Sequence, residues 1–243
     1  MRFYEDGRDK RPLPPEGVTL HTAGERNEYV IGLDLGQKRD HTAMAILERS
    51  DVIYAERDAL TYARFEKTEY RLRFLKRFEL GMPYPAIVEQ VDRAVQALKR
   101  ECRPQWGNAP LLSLVVDATG VGTAVVDLLR QAGLGCDLVA VTITGGEHEA
   151  QTRHGWNVPK CDLVSALQVM YENEDLLMAD QLEGIAVFLK ELGAMQVRRS
   201  PKGHESFGAW REGTHDDLVL AVALAVWKAR KGSKSPWGRV RLV

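Results

Sequence analysis

The sequence predicts an α/β fold: a mixed β-sheet, a three-strand antiparallel meander plus parallel strands, with helices on both faces. Three observations predict it. Residues 29–35 and 41–48 are apolar stretches separated by a short polar turn, the pattern of an antiparallel pair. Residues 111–116 form a near-continuous apolar run, the mark of a strand covered on both faces. From Pro83 onward, helical apolar spacing alternates with short strands. Right-handed crossovers then place helices on either side of the sheet.

Residues 1–28 mix both charge signs, contain Pro12, Pro14 and Pro15, and lack periodicity, so they are expected to be an extension or linker. The first strand covers 29–35. Gly36-Gln37-Lys38-Arg39-Asp40 turns the chain, and Ala43, Ala45 and Leu47 alternate on the return. Residues 51–65 fit either a continuation of that strand or an insertion. A third strand lies within 69–79, where Tyr70, Leu72 and Phe74 alternate with basic residues. Pro83-Tyr84-Pro85 starts a helix carrying Ile87, Val88, Val91, Ala94, Val95 and Leu98, and Arg103-Pro104 stops it. Strand 111–117 turns through Gly120-Val121-Gly122 into a helix over 121–132. A strand at 136–143, helices at 160–171 and 182–193, a short strand at 205–210 and a helix at 216–229 complete the chain.

This order resembles the ribonuclease-H-like fold. The folded domain is expected over 29–231, followed by a basic tail over 232–243. With 243 residues, 44% hydrophobic and 28% charged, the chain has material for a full core. No apolar run approaches the roughly 20 residues of a membrane span. The N-terminus has no apolar signal region. A cytoplasmic location without a membrane partner is expected. Cys102, Cys136 and Cys161 are odd in number and widely spaced, so neither a zinc site nor a disulfide framework is expected. The net charge of -1 supplies no global field for nucleic acid. Lys228, Arg230, Lys231, Lys234, Arg239 and Arg241 form a local basic stretch, either a solvated tail or a contact to a DNA backbone.

Three acidic positions carry the chemistry. Asp34 ends the first apolar strand and Asp117 ends the fourth. Asp216 and Asp217 open the apolar helical run Leu218-Val219-Leu220-Ala221-Val222-Ala223-Leu224-Ala225. A carboxylate at a strand end is held rigidly while its head reaches a cleft. One Asp suffices to cap a helix start, so two adjacent acids leave one to spare. Converging carboxylates bind hard divalent cations through oxygen, which points to metal-dependent phosphodiester chemistry with two ions about 4 Å apart. Clustered acids repel without cations, so metal is also expected to stabilise the fold.

The quoted segments resemble the nuclease domain of the phage large terminase subunit, over about residues 29–230. They are Gly32-Leu33-Asp34-Leu35-Gly36-Gln37 with Asp40-His41-Thr42-Ala43, then Val116-Asp117-Ala118-Thr119-Gly120-Val121-Gly122. Val158-Pro159-Lys160 and Arg211-Glu212-Gly213-Thr214-His215-Asp216-Asp217-Leu218-Val219 follow. The resemblance implies an endonuclease, phage or prophage encoded, that cuts double-stranded DNA during genome packaging in a bacterial host. It implies Mg²⁺ or Mn²⁺ held by Asp34, Asp117 and Asp217, with Asp216 beside them in the catalytic set. It also implies a packaging ATPase motor, a small terminase subunit and a portal as partners. There are two departures. Leu220 stands where related resolvases carry a further acid. No Gly-x-x-x-x-Gly-Lys-Ser/Thr loop is present, so the motor is expected on a separate chain or on a removed part. Lys160, Arg198, Arg199 and Lys202 are candidate DNA contacts, the last three on a hairpin over 197–210. His215, Trp156 and Trp210 are expected to be structural. Two other readings fit fainter signals. One is an actin–hexokinase-type ATP phosphotransferase, through its Asp-x-Gly phosphate loops. The other is a catalytically weak module that docks DNA or a motor.

Overall fold

The computed structural model describes residues 19–36, 40–101, 111–120, 122–199, 205–209 and 215–231, with the backbone alone at 101, 196–199 and 205–209. Ten strands and five helices follow the chain among these residues. They are β1 (Thr22–Asp34), β2 (Ala43–Arg57), β3 (Arg64–Arg77), α1 (Tyr84–Glu101), β4 (Leu111–Asp117), α2 (Gly122–Ala132), β5 (Asp137–Thr144), β6 (Ala150–Thr152), β7 (Gly155–Pro159), α3 (Lys160–Glu172), β8 (Leu176–Met178), α4 (Ile185–Ala194), β9 (Met195–Arg199), β10 (Glu205–Ala209) and α5 (Asp217–Lys231). Eight strands form one sheet in the order β6-β7-β5-β4-β1-β2-β3-β8. β1, β2 and β3 make the antiparallel meander, and β4 and β5 extend it in parallel from β1. This arrangement is ribonuclease-H-like.

Alternation along each strand divides the core. Val30, Ala45, Leu47, Val115 and Val141 meet α3, α4 and α5 on one face. Ile31, Leu33, Leu114 and Val116 meet Ile87 and Val91 of α1 and Val125 of α2 on the other. Each such side chain adds roughly 1.5–3 kcal/mol when fully buried. α5 is apolar all round and accordingly sits in the core, buried from Asp217 through Trp227. Gly32 sets its height over the sheet. A Cβ there would stand 2.0 Å from the Ala221 carbonyl oxygen, so the helix backbone rests directly on β1.

The strands run longer than their apolar cores predict. β1 begins at Thr22, inside the expected linker, and β2 continues to Arg57, so 51–65 is a strand continuation and its turn. The missing signal is physical. The extended half is stitched by charges, with Asp51 taking Arg26 (3.0 Å), Arg49 (3.1 Å) and the Thr68 hydroxyl (2.7 Å). The short strands β6, β7 and β8 were not expected. β7 lies parallel to β5 and delivers Lys160 to the α5 face. β9 and β10 form the expected hairpin. α5 extends through Lys231. Lys228 pairs with Asp137 and Lys231 with Glu149, so this part of the basic stretch belongs to the helix. Among the described residues no helix is long and apolar enough to cross a membrane. Cys136 and Cys161 are free thiols; Cys102 lies outside the described residues.

Candidate functional site

Asp34 and Asp117 are the last residues of neighbouring parallel strands. Leu33 registers with Val116, so the two acids occupy the next rung side by side. Side-chain alternation aims both at the α5 face, where Val30 and Val115 already point. From Gly32 beneath Ala221, two strand residues lead to Asp34 and one helical turn leads back to Asp217. Each step covers about 6 Å. The fold therefore brings the ends of β1 and β4 and the start of α5 to one place.

The electrostatics report that convergence. Asp34 is 7% exposed. Burial raises its pKa well above the ordinary 3.8, and Asp117, Asp217 and Asp216, in that order, raise it further against the pull of Lys160. Asp117 is raised chiefly by burial, against hydrogen bonds with Thr119 and Asp34. The Thr119 hydroxyl takes the Ile143 N–H (2.9 Å) and donates to Asp117 Oδ1 (2.5 Å), and the Thr119 N–H donates to the same oxygen (2.8 Å). One carboxylate oxygen is thereby fixed to the end of β5. Gly122 permits the tight exit, since a Cβ there would stand 2.2 Å from the Asp117 carbonyl oxygen.

Asp216 and Asp217 part ways. Asp216 is half-buried and accepts a hydrogen bond from Lys160 Nζ at 2.6 Å. Asp217 is 3% exposed and its pKa is raised by burial, against Arg77, His215 and His41. Its Oδ2 lies 3.4 Å from Arg77 Nε and 3.8 Å from His215 Nδ1, and it has no hydrogen-bond partner. His41 Nδ1 donates to the Phe78 carbonyl (2.9 Å), and the His41 ring stands edge-on to His215 at 5.4 Å.

Behind Asp217 lie two residues the sequence reading missed. Glu191 of α4 is 6% exposed and accepts the Leu218 N–H (3.1 Å) and the Val219 N–H (3.4 Å), capping α5 from another helix. It also ion-pairs with Arg77 of β3. Burial pushes its carboxyl up to about 7, with Asp217 adding to that and Arg77 opposing it. A signal existed: Phe188, Glu191, Leu192 and Met195 share the buried helical spacing, and an acid on that stripe needs a partner.

The donor set suits a hard divalent cation: all oxygen, mutually repelling, with one buried orphan acceptor in Asp217 Oδ2. Among the described residues, however, no three His, Cys, Asp or Glu side chains stand gathered as a metal-holding group. Asp216 is turned to Lys160 and Asp217 faces Arg77. The carboxylates share a neighbourhood, in which Asp216 serves an internal cation and Asp217 Oδ2 faces one without a hydrogen bond. Among the described residues, the candidate DNA contact Lys160 reaches this place. Lys202 and the side chains of Arg198 and Arg199 lie outside the described residues, as do Gln37, Val121, Trp210 and 211–214. Trp156 packs edge-on against Trp227 at 5.7 Å.

The chain resembles terminase nucleases in fold. It is similar to the large terminase nuclease from thermophilic phage G20c, at 20% identity over 90% of this chain and 92% of that one, with a TM-score of 0.49. It is similar to the human cytomegalovirus terminase nuclease domain, solved from a Mn-soaked crystal, at 12% identity over 83% and 84% of the two chains, TM-score 0.46. It is also similar to the HK97 bacteriophage large terminase, at 13% identity, TM-score 0.46, covering 84% of this chain but 40% of that one. No family model and no curated protein matches. At these identities and scores, function rests on the chemistry of the site.

Proposed function

We propose that the chain is a divalent-metal-dependent endonuclease acting on the phosphodiesters of double-stranded DNA. One observation carries this reading: acids from β1, β4 and α5 share one neighbourhood, close enough that Asp117, Asp217 and Asp216 each add to the burial that raises the pKa of Asp34. Asp34, Asp117 and Asp217 would hold Mg²⁺ or Mn²⁺, with Asp216 at the rim. Asp217 is preferred over Asp216 because it couples more strongly to Asp34. A second ion beside the first belongs to the same reading. A bound divalent ion supplies Lewis acidity, activating water and neutralising charge on the departing oxygen.

The chain's own residues do the rest. The strand ends fix Asp34 and Asp117 side by side, and Thr119 locks one Asp117 oxygen, which sets the orientation of that carboxylate. Asp216 holds the Lys160 ammonium at the rim, within reach of a phosphate. These groups meet charge and shape, so little sequence preference is expected. The segment resemblance further supports a role in phage genome packaging, in the cytoplasm of a bacterial host, with an ATPase motor, small subunit and portal as partners.

Plasmid nicking in Mn²⁺, wild type against Asp34→Asn, tests the reading. Cleavage by the wild type alone supports it. Equal cleavage by both overturns the assignment of Asp34, and cleavage by neither overturns the nuclease reading. Sequenced ends sharing one sharp motif would contradict the lack of sequence preference.

A further inference from the structure

Arg77 reaches toward two carboxylates and satisfies one. Its guanidinium NH2 group is bound to Glu191 Oε1. Its Nε lies 3.4 Å from Asp217 Oδ2 without making a hydrogen bond, and both of these atoms are buried without hydrogen-bond partners. A guanidinium ordinarily grips a carboxylate through two parallel hydrogen bonds. Here the grip on Asp217 is withheld. Glu191 cannot follow Asp217 toward the cleft, because its Oε2 is engaged by the Leu218 and Val219 N–H groups at the start of α5.

We propose that Glu191 is a positioning residue for the acidic site: it captures Arg77 and so keeps the Asp217 carboxylate open for a cation. This rests on the nuclease reading only in taking Asp217 as a ligand. Arg77 comes from β3, Glu191 from α4 and Asp217 from α5, so the arrangement also joins three elements behind the site. A helix cap alone would not require an arginine. A half-buried arginine with only Asp217 beside it would close on that carboxylate and compete with metal.

The test is Mn²⁺ affinity, measured by calorimetry on the full chain. The variants are Glu191→Gln, Arg77→Met and the double substitution, each first melted in EDTA. Gln keeps an oxygen for the α5 N–H groups but loses the charge that holds Arg77. Glu191→Gln is expected to weaken Mn²⁺ binding about tenfold, the scale of one charge-assisted hydrogen bond that must now be broken. Arg77→Met is expected to bind at least as tightly as wild type. In the double variant, removal of Arg77 is expected to restore the affinity lost in the single one. That restoration separates capture from capping, because loss of a cap would persist in the double variant. Unchanged Mn²⁺ affinity in Glu191→Gln, or affinity not restored in the double variant, overturns the proposal. If Glu191→Gln does not fold, weaker binding by Arg77→Met overturns it instead. Wild-type Mn²⁺ binding without nicking would remove the nuclease reading and leave this inference standing.

Discussion

Two buried acids on the same sheet face have opposite fates. Asp51 is 4% exposed and Asp34 7%. Burial disfavours the charge of both. Yet the Asp51 carboxyl is held below its ordinary value by Arg49, Arg26 and the Thr68 hydroxyl, overriding burial. Asp34 is driven well above its ordinary value by burial, and the facing carboxylates of Asp117, Asp217 and Asp216 add to it, with Lys160 opposing them. Burial of a carboxylate thus does not mark a site. Its partners do: the distal half of the sheet completes its ion pairs, and the end near α5 leaves charge uncompensated.

The largest expected effect separates these roles. Asp34→Asn should lower plasmid nicking in Mn²⁺ by more than about a hundredfold, beyond what loss of an outer partner costs a metal site. It should also raise the melting temperature in EDTA, since a repelled buried charge is gone. Asp51→Asn should do the reverse. It leaves Arg49 and Arg26 without their shared anion and should cost about 3 kcal/mol, while nicking by the folded fraction persists. If Asp51→Asn abolished nicking without loss of stability, the division would be wrong.

Metal addition comes next. Saturating Mn²⁺, at about a hundred times its dissociation constant, should stabilise the wild type by about 2.7 kcal/mol. The shift should vanish in Asp34→Asn. Thermal melts with and without the ion measure both; an equal shift in the two proteins would place the ion elsewhere.

The pH response should split along the same line. Asp34, Asp117 and Asp217 have raised folded-state values, so their contribution to stability without metal is complete below the ordinary 3.8 and is lost as pH rises through the raised values. Glu191 follows the same sign, with loss between 4.5 and about 7. Asp51 has the opposite sign: its contribution is present above 3.8 and is lost as pH falls through the lowered value. In EDTA the melting temperature should therefore fall from pH 5 to pH 7.5, and the Mn²⁺ shift should grow over that range. A flat profile in EDTA would mean that the acids at the end near α5 are compensated as fully as Asp51.

The same contrast explains what the sequence disclosed. β4 was legible end to end, because Leu111–Asp117 is apolar but for Ser113 and its last residue, and that last residue is the site acid. α5 was legible because a helix apolar all round has nowhere to go but the core. The outer halves of β1 and β2 were not, because Glu25–Glu28 and Arg49–Asp51 read as surface until Arg26, Arg49 and Thr68 are seen across the strands. Arg77 was invisible for a related reason, being one charge among the alternating basic residues of β3, while Glu191 showed only as an acid on an apolar helical stripe. The meaning of both lies in meeting Asp217 from distant parts of the chain. Local pattern reports apolar faces well and pairings between charges poorly.

The smallest expected effect tests the far end of α5. Lys231 Nζ lies 4.0 Å from the Trp156 ring centre and 4.6 Å from that of Trp227, and it pairs with Glu149, which also accepts the Trp227 indole N–H at 2.9 Å. Every charge in this cluster has a partner, as around Asp51. It lies about 20 Å along the helix from Asp217. Lys231→Met keeps much of the apolar contact and removes the ammonium, so it should cost about 0.5–1 kcal/mol, roughly 2–4 °C in melting temperature. Mn²⁺ affinity and nicking should not change. A loss of Mn²⁺ affinity in this variant would show that α5 transmits strain between its ends, and that the compensated and uncompensated regions are not independent.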